Sequence, residues 1–130
     1  MRRVLNTNIV SLGVRGDGAV LRHLSRCLRN DVAVTAITLA ELEYGSRRSD
    51  DPERNRFMWQ HFLRGLPVLA FTRTEAPEHA RLRDELRKHP IGERDLFIAA
   101  IARANGLTVV TRNAKEFKRI KGLRVEEWDG

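Results

Sequence analysis

The sequence lacks the disulfide cross-links of many secreted proteins and the apolar segments that anchor proteins in membranes. It contains one cysteine, Cys27, among 130 residues, so an internal disulfide cannot form. No apolar stretch approaches the roughly 20 residues that a membrane-spanning helix needs. The arginines at positions 2 and 3 are followed by too few apolar residues for a signal peptide. These absences predict a cytoplasmic protein without a membrane segment, in which Cys27 is a buried structural thiol.

Signatures of three common kinds of catalytic site are missing as well. The four histidines are scattered, and with a single cysteine they do not give the ligand spacing of a zinc site. The glycines at 13, 16 and 18 do not match a phosphate-binding loop, and no nucleophile elbow marks a serine hydrolase. The sequence therefore gives no support to zinc, P-loop or serine-hydrolase chemistry.

Charge is abundant and mainly positive. The chain has 24 lysine and arginine residues against 17 aspartate and glutamate residues, which gives a formal net charge of +7 and an isoelectric point near 10.7. Such a surface favours a polyanionic partner, either nucleic acid or an acidic protein segment. A basic surface without a binding role is the alternative, so residues that carry chemistry have to be found individually.

Short apolar runs alternate with amphipathic segments along the whole chain. The runs predict strands at 2–5, 32–34, 66–71, 107–111 and 123–128. The strand at 66–71 is expected to be buried on both faces. The segments between the strands predict helices, including one that ends at Tyr44 before Gly45 and one at 75–88 that is capped by Thr74. This alternation predicts one three-layer α/β domain with a mainly parallel sheet flanked by helices.

Several oxygen-bearing side chains stand at strand ends or helix starts. Asn6 and Asn8 follow the first strand, Glu41 lies on a mid-chain helix, Asp95 opens the most apolar helix, and Asn113 follows the strand at 107–111. Each has a structural explanation by itself. The asparagines can serve as caps, Glu41 can lie on a solvated face, and Asp95 can favour the helix dipole by about 0.3–1 kcal/mol.

Taken together, these residues are typical of a site for a hard cation. Oxygen ligands from separate elements are what Mg²⁺ or Mn²⁺ needs, and sites in parallel sheets lie beyond the carboxyl ends of strands. A metal site on a basic surface is the combination expected for phosphodiester hydrolysis. Glu43 has a different helical azimuth from Glu41, so at most one of them is expected to point into a cleft. Thr7 or Asn8 is expected to start the helix after the first strand.

Four segments in this order make the pattern specific: VLNTNIVS, TAITLAELEYG, HPIGERDLFIAAIARANG and LTVVTRNAKEFKRIKGLRVEEW. With them the chain resembles VapC-type toxins of the PIN-domain ribonuclease family over essentially its whole length. The resemblance implies a single PIN-like domain over residues 1–130, with a mainly parallel sheet between layers of helices. It also implies a protein that acts on RNA.

The resemblance also implies roles for individual residues. In the family, an Asp-Thr-Asn after the first strand, a helical glutamate, a later aspartate and a Thr-x-Asp/Asn turn converge on Mg²⁺ or Mn²⁺. By position, the catalytic residues are Glu41 and Asn113, the metal ligands are Asn6 and Asp95, the supporting polar residues are Thr7, Asn8, Ser11 and Thr111, and the RNA-binding residues are Arg112 and Lys115.

Asn6 departs from the family, because it stands where the family has its leading aspartate. The exchange keeps size and one oxygen but removes a negative charge, so metal affinity is expected to fall while the fold stays unchanged. The resemblance thus implies an impaired form of an Mg²⁺- or Mn²⁺-dependent endoribonuclease toxin. Asn6 fits either a deliberate attenuation of such a toxin or a natural inactive relative.

The resemblance implies partners, and other functions stay open. The expected partners are RNA as substrate, a cognate VapB-type antitoxin, operator DNA through the antitoxin alone, and a second copy of the chain in a homodimer. The alternative is a catalytically inactive PIN-like module that binds RNA or an antitoxin without cleavage. A flavodoxin-like ligand-binding or receiver domain is a weaker third interpretation, because Asn6 replaces the acid that a receiver needs.

Overall fold

The computed structural model describes residues 2–129, which contain a five-stranded sheet. The strands are β1 (Arg3–Leu5), β2 (Val32–Thr35), β3 (Val68–Leu69), β4 (Thr108–Thr111) and β5 (Val125–Glu127). They run in the order β3-β2-β1-β4-β5, and every neighbouring pair is parallel. Because parallel neighbours need crossover connections, each strand is followed by helical or turn structure before the next strand begins.

Six helices connect the strands. They are α1 (Thr7–Val14), α2 (Gly18–Ser25), α3 (Ala36–Arg47), α4 (Pro52–Leu63), α5 (Ala76–Glu85) and α6 (Glu93–Ala104). Two short 3₁₀ turns lie at Arg29–Asp31 and Phe117–Arg119. Within residues 2–129, none of the helices has the length and apolar character needed to cross a lipid bilayer.

The central strands bury both faces, as side-chain alternation along a strand requires. In β1, Val4 belongs to one apolar cluster and Leu5 to the other, and in β4 the same holds for Val109 and Val110. The cluster that contains Leu5 is completed by α1, α2 and α4, whereas the cluster that contains Val4 is completed by α5 and α6. The predicted three-layer α/β architecture is therefore confirmed.

The third strand is shorter and more exposed than predicted. It covers Val68–Leu69 at the edge of the sheet, and Val68 is 47% exposed. Pro67 directly before it has no N–H to donate, and its carbonyl accepts from Val34. The prediction of a strand over 66–71 buried on both faces is wrong. An edge strand has a neighbouring strand on one side only, and the apolar residues of 66–71 pack into two different apolar clusters.

Helix α3 extends beyond its predicted end. It continues through Gly45 to Arg47 because Ser46 joins it to α4. The buried Ser46 hydroxyl donates to Asn55 Oδ1 at 2.7 Å and accepts from Trp59 Nε1 at 2.9 Å. These contacts hold the last turn in helical form, so the predicted end at Tyr44 is wrong.

Helix α5 is shorter than predicted at both ends, because it begins at Ala76 and ends at Glu85. The buried Glu75 carboxylate accepts from the backbone N of Thr72 at 2.8 Å and from its hydroxyl at 2.6 Å, so Glu75 closes the turn before the helix. Thr74 makes no capping bond, and the helix ends at Glu85. Cys27 also differs from expectation: it lies beyond the end of α2 and is partly exposed while it packs against the first apolar cluster.

Candidate functional site

A groove of about 700 Å³ opens where the carboxyl ends of β1 and β4 meet α3 and α6. Its lining includes these residues that the sequence predicts for the site: Asn6, Thr7, Asn8, Ser11, Glu41, Asp95, Arg112 and Asn113. Thr111 is buried and bonded to two of them, whereas Lys115 is exposed and does not line the groove. The topology brings these residues together because parallel strands end at one edge of the sheet.

Asn6 links the ends of the two central strands. The residue is 5% exposed, and its Oδ1 accepts from the Thr7 backbone N at 2.6 Å. Its Nδ2 donates to Thr111 Oγ1 at 3.3 Å, and the same oxygen accepts from the Asn113 backbone N at 3.1 Å. Asn6 is therefore the N-cap of α1, and Thr7 is the first residue of the helix, which is one of the two starts that the sequence predicts.

Thr7 positions α1 against α3. Its hydroxyl lies 2.8 Å from the Thr38 hydroxyl, and Thr38 is held in the first turn of α3 because its N–H donates to Thr35 Oγ1 at 3.2 Å. Glu41 follows Thr38 by three residues, so both project from the same side of the helix. The hydroxyl pair thereby fixes the face of α3 that lines the groove.

The two neighbouring glutamates of α3 point in different directions. Glu41 lines the groove, whereas Glu43 pairs with Arg56 of α4, whose Nη2 lies 2.7 Å from Glu43 Oε1. The azimuth difference expected from the sequence separates them in this way, so Glu41 is the α3 carboxylate available to the groove.

Asp95 lies in the first turn of α6, after Gly92, and lines the groove. Burial raises the pKa of its carboxyl, repulsion from Glu116 raises that pKa further, and attraction to Arg94 lowers it. Within residues 2–129 the Asp95 carboxylate has no hydrogen-bond or ion-pair partner. It is therefore a partly buried negative charge that a cation would stabilise.

The structure adds residues that the sequence interpretation missed. Arg94 and Arg15 line the groove, and Glu116 acts on Asp95 through its charge. Arg15 lies four residues after Ser11 near the end of α1, so helical spacing could have placed it on the same face. Arg94 forms an ion pair with Glu41, with 2.5 Å between Arg94 Nε and Glu41 Oε1.

Arg112 is engaged by groups at the edge of the groove. Its guanidinium pairs with Asp17, with 2.9 Å from Nη2 to Oδ1, and its Nε donates to the Trp128 carbonyl at 3.1 Å. The same Asp17 carboxylate caps α2 by accepting from Val20 N at 3.1 Å. Hydrogen bonding to Arg112 holds the pKa of Asp17 below its ordinary value. Arg112 thus connects the end of β4 with the start of α2 and with the chain after β5. A contact between Arg112 and RNA stays a prediction.

The oxygen-bearing side chains of the groove are of the kind that bind a hard divalent cation, but together they carry little negative charge. Carboxylate and amide oxygens of Glu41, Asp95, Asn6 and Asn113 are the type of ligand that Mg²⁺ and Mn²⁺ take. Yet residues 2–129 contain no group of three or more histidine, cysteine, aspartate or glutamate side chains that could hold a metal ion. With an amide at position 6, two carboxylates, Glu41 and Asp95, remain from the set that the sequence predicts.

Comparison with known proteins identifies the fold family. A family model of the PIN domain matches residues 3–123. The chain belongs to the PIN-domain family. This PIN domain is 34% identical over 130 residues to the tRNA(fMet)-specific endonuclease VapC of Shigella flexneri, and the match covers 98% of each chain. It is 39% identical over 132 residues to ribonuclease VapC2 of Haemophilus influenzae, again with 98% of each chain covered.

Solved structures give the same result. The PIN domain is similar to a chain in the structure of VapBC2 from Rickettsia felis bound to a promoter DNA fragment, with a TM-score of 0.92, 36% identity, and coverage of 99% of this chain and 100% of that one. It is equally similar to a chain in DNA-bound VapBC from Salmonella typhimurium, with a TM-score of 0.92, 34% identity and 99% of each chain covered. The resemblance to VapC-type toxins is therefore confirmed.

Proposed function

We propose that this PIN domain is the toxin of a type II toxin–antitoxin system, an Mg²⁺- or Mn²⁺-dependent endoribonuclease that is impaired by Asn6. The observation that carries the proposal is the groove itself. It gathers Asn6, Glu41, Asp95 and Asn113 from four places in the chain onto one basic molecule. The relatives named as a tRNA(fMet)-specific endonuclease and a ribonuclease support RNA as the substrate class.

The side chains of the groove have separate tasks in this mechanism. Asp95 and Glu41 would hold the cation with their carboxylates, and the amide oxygens of Asn6 and Asn113 would complete the polar cluster. When bound, Mg²⁺ or Mn²⁺ supplies Lewis-acid assistance to phosphodiester cleavage. Glu41 would use the carboxylate oxygen that does not hold the cation to orient the attacking water and to accept its proton. Arg15 at the rim attracts the phosphate backbone of the RNA.

Asn6 reduces activity through charge rather than through shape. Its oxygen already accepts from Thr7 N, and a carboxylate can keep that bond. The Thr111 hydroxyl, which now accepts from Asn6 Nδ2, can donate to a carboxylate instead. Asn6→Asp is therefore expected to preserve the local structure while it restores one negative charge to the metal site.

RNA cleavage in the presence of Mn²⁺ tests the proposal. The Asn6→Asp variant is expected to cleave RNA at least about tenfold faster than the chain as it stands, and EDTA should abolish the gain. Adding Asp95→Ala to Asn6→Asp should remove the activity, whereas adding Glu43→Gln should leave it, because Glu43 faces Arg56. The first substrate to try is tRNA(fMet), because the Shigella relative is named as a tRNA(fMet)-specific endonuclease. Equal background cleavage by all variants would contradict the nuclease proposal.

The partner proposal rests on the solved relatives. The Rickettsia and Salmonella structures are VapBC complexes bound to DNA, which supports a VapB-type antitoxin for this chain and contact with operator DNA through that antitoxin. We further propose that the toxin is a homodimer. Light scattering of the purified chain tests the dimer. Co-purification with the protein encoded next to it tests the antitoxin, and a monomer that retains no neighbour-encoded protein would contradict both.

A second candidate function is a module that binds RNA or an antitoxin without cleaving RNA. One observation favours it: both polar ends of the Asn6 side chain are hydrogen-bonded and Glu41 is ion-paired within the protein, so these two side chains are satisfied without a metal. If the Asn6→Asp variant binds RNA as the parent chain does and still fails to cleave it, this function replaces the first.

A further inference from the structure

The charges that line the groove are balanced, with three carboxylates and three guanidinium groups. Its carboxylates belong to Glu41, Glu93 and Asp95, and its guanidinium groups to Arg15, Arg94 and Arg112. Arg112 forms an ion pair with Asp17, which is not one of the carboxylates that line the groove. Among the residues described, Arg94 is the groove arginine that pairs with a groove carboxylate, Glu41.

The Arg94–Glu41 pair is positioned by the fold but weakly held. Arg94 is in the first turn of α6 and Glu41 is near the middle of α3, so the pair bridges the two helices. The Arg94 side chain is 71% exposed, and that of Glu41 is 33% exposed. An ion pair this open to water contributes little to folding and can separate at low cost.

The same guanidinium acts on the second carboxylate of the site. Arg94 precedes Asp95 directly, and its charge opposes the effects of burial and of Glu116 on the Asp95 carboxyl. One positive charge thus pairs with Glu41 and offsets part of the cost of burying Asp95, and these are the two acidic residues that would hold a divalent cation. A cation that binds them has to displace this guanidinium from Glu41 and overcome its repulsion.

We propose that Arg94 is a built-in counter-cation of the groove, which neutralises Glu41 in the metal-free protein and competes with a divalent cation for that carboxylate. The proposal rests on the proposed metal site and adds an internal competitor to it. Two features of this chain then lower its affinity for the metal: the negative charge that is missing at position 6, and the Arg94 guanidinium that pairs with Glu41.

Direct measurement of Mn²⁺ binding to the full chain tests the competition without reference to RNA cleavage. Free Mn²⁺ is quantified by electron paramagnetic resonance at low ionic strength, for the chain as it stands and in the Asn6→Asp background. Arg94→Gln is expected to tighten Mn²⁺ binding by about two- to fivefold, the range that an exposed ion pair supports. The gain should shrink in 0.5 M salt because screening weakens the pair.

Two controls separate a specific pair from general charge. Arg15→Gln removes the same charge from the groove lining, but residues 2–129 give Arg15 no carboxylate partner, so its effect on Mn²⁺ should be clearly smaller. Arg94→Lys keeps the charge and should retain most of the competition. In a Glu41→Gln background, Arg94→Gln should have little effect, because the contested carboxylate is gone.

Defined results overturn the proposal. Equal effects of Arg94→Gln and Arg15→Gln, or an Arg94→Gln effect that persists without the Glu41 carboxylate, would show that the pair does not compete. So would Mn²⁺ binding that Asn6→Asp tightens but Arg94→Gln leaves unchanged, a result that refutes the counter-cation while the metal site stands. Absence of measurable Mn²⁺ binding in every variant, including Asn6→Asp with Arg94→Gln, would overturn both.

Discussion

Replacing Asn6 with aspartate is expected to make the stability of this PIN domain depend on divalent cations. Asn6 is 5% exposed, accepts from Thr7 N and donates to Thr111 Oγ1. An aspartate of the same size keeps the first bond and can accept from the Thr111 hydroxyl in place of the second. The hydrogen bonds are thus conserved, and the change that remains is one buried negative charge near Asp95 and Glu41.

The magnitude follows from three contributions. Removing a carboxylate from water at this depth, with other acids in the same groove, costs about 1–3 kcal/mol. The N-terminus of α1, which position 6 caps, returns about 0.3–1 kcal/mol to a negative charge. The metal-free variant should therefore be less stable by about 1–2 kcal/mol, or about 3–10 °C in Tm for a chain of this size. Mn²⁺ at one hundred times its Kd should add about 2.7 kcal/mol, more than the loss.

Thermal unfolding followed by circular dichroism, with EDTA or with Mn²⁺, measures both effects. The Asn6→Asp variant should melt below the parent chain in EDTA and gain more than the parent when Mn²⁺ is added. Asn30→Asp, on an exposed 3₁₀ turn away from the groove, provides a matched charge control that should show neither effect. A metal-free Asn6→Asp variant that is at least as stable as the parent and indifferent to Mn²⁺ would refute the reasoning.

Three further predictions follow from particular contacts, each read out by urea or thermal unfolding. Asp95→Asn should stabilise the metal-free protein, because burial raises the folded pKa of this carboxyl; the gain is full above that pKa and disappears below the ordinary value of 3.8. Asp17→Asn should destabilise the protein at pH 7, because pairing with Arg112 lowers the pKa of Asp17; the loss should fade as pH falls through that lowered pKa. Gly13→Ala should cost about 1–3 kcal/mol, because its Cβ would lie close to the Phe62 ring atom Cζ. A gain at Asp95 that is independent of pH, a loss at Asp17 that grows in acid, or a neutral Gly13→Ala would contradict the respective argument.

The sequence could predict the part of the site that depends on strand ends. Asn6 follows β1 and Asn113 follows β4, and these strands are parallel neighbours in the sheet, so their carboxyl ends meet whatever the surrounding loops do. Helical azimuth likewise separates Glu41 from Glu43 without knowledge of the tertiary structure. These predictions used local periodicity and one general property of parallel sheets.

The rest of the site depends on where distant elements meet. The partner of Arg112 is Asp17, 95 residues away, and no local pattern connects them. Arg94 meets Glu41 because α6 packs beside α3, and Glu116 acts on Asp95 because the turn before Phe117–Arg119 approaches α6. The short edge strand β3 was mispredicted for a related reason: its burial is decided by its place in the strand order, which the apolar composition of 66–71 does not reveal.

The polar contacts of the groove identify the residue at which a cation has most effect. The Asn6 amide is bonded to Thr7 and Thr111, and Glu41 is paired with Arg94. Asp95 is partly buried, and residues 2–129 give its carboxylate neither a hydrogen bond nor an ion pair. Its charge therefore remains uncompensated except by the nearby guanidinium of Arg94, and a divalent cation that reaches the groove gains most from Asp95. Removing that carboxylate should weaken metal binding more than removing Glu41, whose release from Arg94 partly offsets the gain.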